Sequence, residues 1–111
     1  MLTLKKYKGT VDTRLLEKLI NDFLRANKDA NVRTREVDSY SILVGDEGID
    51  VGVLTKSQLA FTAVNPTELS LSLAKLLAVE LGLHVYKNNV VGSTPIQTRI
   101  SVEDLQTEDL R

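Results

Sequence analysis

Hydrophobic positions follow two rhythms along this chain. Leu15, Leu16, Leu19, Ile20, Phe23 and Leu24 recur every three to four residues and share one face of a helix. Lys18, Asn21, Asp22 and Arg25 fall on the opposite face. Asp12 is placed to cap this helix, and Val11 and Leu16 occupy the two positions of a hydrophobic staple. The rhythm ends in Asn27-Lys28-Asp29-Ala30-Asn31, where asparagine tolerates the left-handed conformation that closes helices.

From residue 32 to 64 the period drops to two. Tyr40, Ile42 and Val44 form one alternating set, Ile49, Val51 and Val53 a second, and Leu59, Phe61 and Ala63 a third. This spacing predicts strands, with Val32–Val37 as a fourth and Leu2 and Leu4 as a lead-in or edge strand within residues 1–9. Gly45-Asp46-Glu47-Gly48 and Lys56-Ser57-Gln58 read as hairpin loops.

Helical spacing returns in Leu69, Leu73, Leu76, Leu77 and Leu81. The spacing predicts a helix over 66–81, with Asn65 as N-cap, Pro66 in the first turn, Glu68 completing a capping box, Val64 and Leu69 as a staple, and Gly82 as the C-terminal stop. Leu83–Lys87 reverts to strand period, and Asn88-Asn89 is the expected turn into Val90-Val91. Gly92-Ser93-Thr94-Pro95 breaks the chain, and Ile96, Thr98 and Ile100 suggest one more extended segment. Ser101–Asp104 reads as a cap before a short helical turn, with residues 104–111 as a frayed tail. The expected fold is a small single α+β domain over 1–111, of order α-β-β-β(-β)-α-β(-β). An antiparallel meander packs against two helices, and a short helical turn closes the chain.

Composition narrows the chemistry. With 111 residues, 42% of them hydrophobic and 26% charged, the chain fits one globular domain with its own core. It has no cysteine, which removes disulfides, thiolate metal sites and thiol catalysis. No apolar run approaches the ~18 residues of a membrane span, and the N-terminal lysines precede no apolar stretch that would make a secretory signal. The cytoplasm is the expected compartment, with no membrane partner.

His84 is the single histidine, and alternation places it on a strand beside Tyr86, with no nucleophile elbow to serve. Asp46, Glu47 and Asp50 cluster at a hairpin but lack the order of a calcium loop. Gly45, Gly48 and Gly52 lie among acids, between strands, with no lysine to hold a phosphate. No catalytic, cofactor or metal residue is assigned, and no cofactor is expected.

Charge is uneven although the net is −1. Residues 1–35 hold nine Lys or Arg against four acids, and the remainder five against eleven. The order helix, three strands, helix is similar to that of double-stranded-RNA-binding domains. Those need a lysine-rich start to the second helix, where this chain has Asn65-Pro66-Thr67-Glu68-Leu69. Arg14, Arg25, Lys28, Arg33 and Arg35 are the candidate nucleic-acid contacts. The leading expectation is an accessory domain without catalysis that binds another protein or itself through a sheet edge in Leu83–Ile100. Nucleic-acid binding through the basic N-terminal third is the first alternative. An enzyme with an unrecognised site is the second, and it requires a cleft bringing His84 or Tyr86 to a carboxylate.

Overall fold

A computed structural model describes residues 1–111. The chain runs β1 (Leu2–Lys5), α1 (Thr13–Ala26), β2 (Ala30–Glu36), β3 (Ser39–Val44), β4 (Glu47–Thr55), β5 (Gln58–Val64), α2 (Glu68–Leu81), β6 (His84–Val91) and β7 (Thr94–Ile100). Two 3-10 turns, Val102–Asp104 and Thr107–Leu110, follow. All seven strands join one antiparallel sheet of order β2-β3-β4-β5-β1-β6-β7. The expected α+β class is thus observed, with its meander at the full four strands, β2 to β5.

The first strand departs from the reading as a lead-in or edge. Leu2–Lys5 lies inside the sheet, paired with Gln58–Phe61 on one side and His84–Lys87 on the other. β1 is antiparallel to both neighbours, so β5 and β6 are parallel to each other. Parallel strands need a crossover, and α2 supplies it. Leu2 and Leu4 are fully buried. Alternation signals a strand but carries no information about which strands flank it.

Side-chain alternation divides the sheet into two faces. Leu2, Leu4, Tyr40, Ile42, Ile49, Val51, Leu59, Phe61, Ala63 and Val85 point into one core with Leu16, Leu19, Ile20 and Phe23 of α1 and Leu73, Ala74, Leu77 and Leu81 of α2. The opposite face carries Thr3, Lys5, Ser39, Ser41, Asp50, Gly52, Ala60, Thr62, His84 and Tyr86, and no helix covers it. The C-terminal residues close the helix side. Leu105 and Leu110 are buried, so this segment is packed rather than frayed. No helix is long and apolar enough to cross a membrane.

The helix ends show which local signals prevail. At α1 the Asp12 side chain accepts from the Leu15 amide at 3.0 Å, and Val11 and Leu16 are both buried. Its C-cap Asn27 has φ −122° rather than a left-handed angle, and its side-chain amide donates to the Phe23 carbonyl instead. At α2 the cap is Thr67, two residues beyond the expected Asn65, and the helix begins at Glu68. Asn65 takes φ 53°, which turns the chain before Pro66, and its amide donates to the Asp46 carbonyl. Ser70, not Glu68, completes the capping box, and Val64 is exposed rather than stapled. The deciding contact is Glu47 on β4, whose buried carboxylate accepts from Thr67 Oγ1 at 2.6 Å and from the Thr67 amide at 3.2 Å.

Candidate functional site

β1, β6 and β7 lie side by side, and the register sets their open-face residues in rows. Lys5 pairs with His84, Thr3 with Tyr86, and Tyr86 with Arg99. Consecutive residues on one face of a strand lie two apart, so His84, Tyr86 and Asn88 line up on β6, flanked by Lys5 and Thr3 on one side and Arg99 and Gln97 on the other. The segment after β1 brings in Tyr7, whose ring packs against His84 with centroids 4.3 Å apart and planes tilted by 35°.

These side chains form one hydrogen-bonded cluster. Tyr7 and Tyr86 share a hydroxyl–hydroxyl hydrogen bond of 2.6 Å. Lys5 Nζ lies 4.6 Å from the centroid of the Tyr86 ring and donates to Gln97 Oε1. Arg99 Nη2 lies 2.7 Å from His84 Nδ1. A guanidinium only donates, so Nδ1 is the acceptor and His84 carries its proton on Nε2. Beneath them Thr3 Oγ1, buried, accepts from Asn88 Nδ2 at 2.9 Å. The hydrogen bond with Tyr7 holds the Tyr86 hydroxyl above the usual phenol range, and partial desolvation adds to it.

Neither Lys5 nor Arg99 belongs to an ion pair; the three in the molecule are Lys18–Asp22, Arg25–Asp22 and Lys87–Asp109. Both cations rest on neutral acceptors. Glu103 lines the same open depression as His84 and Arg99, but no carboxylate hydrogen-bonds to His84 or Tyr86. The hairpin acids do not converge either. Glu47 caps α2, Asp46 is exposed, and Asp50 stands on the open sheet face. No group of three or more His, Asp or Glu comes together.

The five basic residues singled out from the sequence lie elsewhere, around α1 and β2. Arg25 is held by Asp22, and Arg35 donates to Asn21 Oδ1 at 2.9 Å while its guanidinium sits 5.7 Å from the Tyr40 ring. Arg33 is the extra residue of a bulge between Val32 and Thr34. Arg14 and Lys28 are exposed, at the start of α1 and after its end. The basic and aromatic cluster on β1, β6 and β7 escapes a linear reading because its members come from both ends of the chain. The signal available was the period-two set His84, Tyr86 and Asn88 together with Lys5 and Tyr7.

The sheet has two outer strands of different character. β2 carries Arg33, Arg35 and Glu36 and is bulged. β7 is regular from Thr94 to Ile100 and has one charge, Arg99, directed to the open face. The turn from β6 to β7 falls at Gly92-Ser93, with Gly92 at φ 63°, not at Asn88-Asn89. Asn88 instead stays in the strand, its amide donating to the Met1 carbonyl. The β6–β7 hairpin therefore continues past the end of β1, with Val90 71%, Val91 63% and Ile96 40% exposed. No protein-family model matches the chain, and no similarity to a curated protein or to a solved structure was found.

Proposed function

We propose that this chain is an interaction domain without catalysis that self-associates through the outer edge of β7. One observation carries the reading. Of the two sheet edges, β2 has the bulge and charges by which proteins guard an edge against pairing, and β7 has neither the bulge nor a comparable run of charge. Pro95, near the β7 tip, supplies no backbone N–H, so pairing along this edge runs through Ile96–Ile100.

A second copy is the simplest occupant of such an edge. Two β7 strands related by a twofold axis pair antiparallel, and each supplies the unpaired backbone groups of the other. The projecting Val90, Val91 and Ile96 then gain apolar contact. At ~25 cal/mol per Å2 of apolar surface, burial at these three positions in each copy favours association by several kcal/mol before the loss of free motion is set against it.

Light scattering after size exclusion tests this. The expected result is a dimer whose fraction rises with concentration. Ile96→Lys combined with Val90→Lys shifts it to monomer, whereas Val37→Lys, at an exposed position in the β2–β3 turn, leaves it unchanged. A monomer at about 1 mM chain would overturn the proposal.

A further inference from the structure

We infer that the open face of β1, β6 and β7 is a binding site for unpaired nucleotides of a single-stranded nucleic acid, with Tyr7 as stacking platform and Lys5 and Arg99 as phosphate ligands. Such a site is independent of self-association. Two cations point to it first. Lys5 and Arg99 stand on strands flanking β6, opposite His84 and Tyr86, so two strand spacings across and two residues along put them about 12 Å apart at the backbone. Neither is in an ion pair, as is true of eleven of the fourteen Lys and Arg residues, and what sets these two apart is that they flank Tyr86 on one open face. Each is held in place by a neutral group, Gln97 for Lys5 and His84 for Arg99. A cation fixed by a neutral acceptor keeps its full charge for an incoming anion, with little side-chain entropy left to lose.

The aromatic groups define the rest of the ligand. Of the molecule's three tyrosines, Tyr40 is buried on the helix side, and the other two meet in this cluster. Tyr7 is 64% exposed, although one side of its ring rests against His84 and its hydroxyl is tied to Tyr86. The ring is therefore oriented by its neighbours yet open to solvent, which suits it to stack on a planar base. A phosphate alone would need no such ring. A base with its phosphate uses both kinds of group, as sheet-face readers of single strands do.

The shape favours a strand over a free nucleotide. Small-molecule sites enclose most of the ligand, whereas this surface is an open sheet face. It continues across Thr3, Ala60 and Gly52 to a shallow depression of about 320 Å3, where Asp50 and Glu36 stand beside Ser39, Ser41 and Thr62 and oppose phosphate, so the anion-binding part of the face ends at β1. Lys6 and Lys8 add positive charge on either side of Tyr7 in the sequence. Glu103 is the acid at the rim of the site and opposes an anion there.

Fluorescence anisotropy with labelled short oligo-dA and oligo-dT at about 50 mM salt tests the site. Binding is expected, with log K falling by about 0.7 per phosphate contact for each unit of log salt, hence a slope near −1.4 for two contacts. Tyr7→Ala should weaken it about tenfold or more, as loss of one stacked base does. Tyr7→Phe should retain most of the binding. Lys5→Gln and Arg99→Gln should each weaken it severalfold and flatten the salt slope by about 0.7, and Glu103→Gln should strengthen it. Circular dichroism of the variants checks that the fold is kept. The inference is overturned by no binding at low salt. It is equally overturned by binding that Tyr7→Ala leaves intact, by loss that follows Arg14, Lys28 and Arg33 instead, or by competition from free ATP as effective per phosphate as from the oligonucleotide.

Discussion

Replacing Glu47 by Ala should destabilise the domain by about 2–3 kcal/mol, through the N-terminus of α2. Glu47 is 3% exposed, and both its oxygens are used, one on Thr67 Oγ1 at 2.6 Å and one on the Thr67 amide at 3.2 Å. A hydrogen bond to a charged group contributes about 1.5–3 kcal/mol, and losing a buried methylene costs about 0.8 kcal/mol more. The amide keeps Ser70 Oγ as a second acceptor at 3.2 Å, so its loss counts for little. Relief of the carboxylate's desolvation offsets part of the total. At about 2.1 cal/mol/K of unfolding entropy per residue, 2–3 kcal/mol lowers the Tm of a chain this long by about 10 °C. Glu47→Gln preserves an acceptor and should cost about 1 kcal/mol. Urea denaturation of Glu47→Ala, Thr67→Val and the double variant isolates the pair, with an expected coupling of about 1.5 kcal/mol. A coupling below about 0.5 kcal/mol would refute the claim that β4 fixes where α2 begins.

Other consequences can be checked by similar means. Burial opposes ionisation of Asp109, but Lys87 Nζ at 2.9 Å and the Gln106 amide prevail and hold its carboxyl below the usual range. A carboxyl with a depressed folded pKa contributes stability that is complete above its unfolded pKa of about 3.9 and is lost as pH falls through the folded value. Urea midpoints from pH 6 down to pH 2 should therefore fall less steeply for Asp109→Asn than for the parent below about pH 4. An unchanged acid slope would contradict this. Gly82 caps α2 at φ 66°, and a methyl group added there would meet no neighbouring atom, so Gly82→Ala should cost about 1 kcal/mol from backbone strain alone. A neutral effect in thermal denaturation would mean that the cap relaxes.

The sequence carried the elements better than their arrangement. Asp12, Val11 and Leu16 predict the start of α1 because every partner lies within one turn. Strand alternation likewise sorts Tyr40, Ile42, Ile49, Val51, Leu59 and Phe61 to the core, since the pleat has a fixed period of two. The α2 cap falls two residues beyond the local Asn65-Pro66 signal because the deciding contact comes from Glu47, some 20 residues before Thr67. Asn88-Asn89 resembled a turn for the same reason; its strand conformation depends on Met1 and Thr3 at the other end of the chain. The basic and aromatic cluster stayed hidden behind the placement of β1. Once Lys5 is known to sit opposite His84, its membership is evident.

That placement of β1 also bears on how the chain is made. The four-strand meander joins neighbours in sequence through tight turns, so it can begin to form while the rest is still being synthesised. β1 comes first but has only half its slot until β6 exists, and its paired residues lie 53–59 positions away on one side and 79–85 on the other. Until then the uncharged strand Gln58–Val64 has only β1 to shield one edge, held by four residues against the entropy of a long loop. Folding should show a slow, late step set by the docking of β6 on β1. A lesion at buried Leu2 or Leu4 should reveal itself less as lost binding than as aggregation of newly made chains.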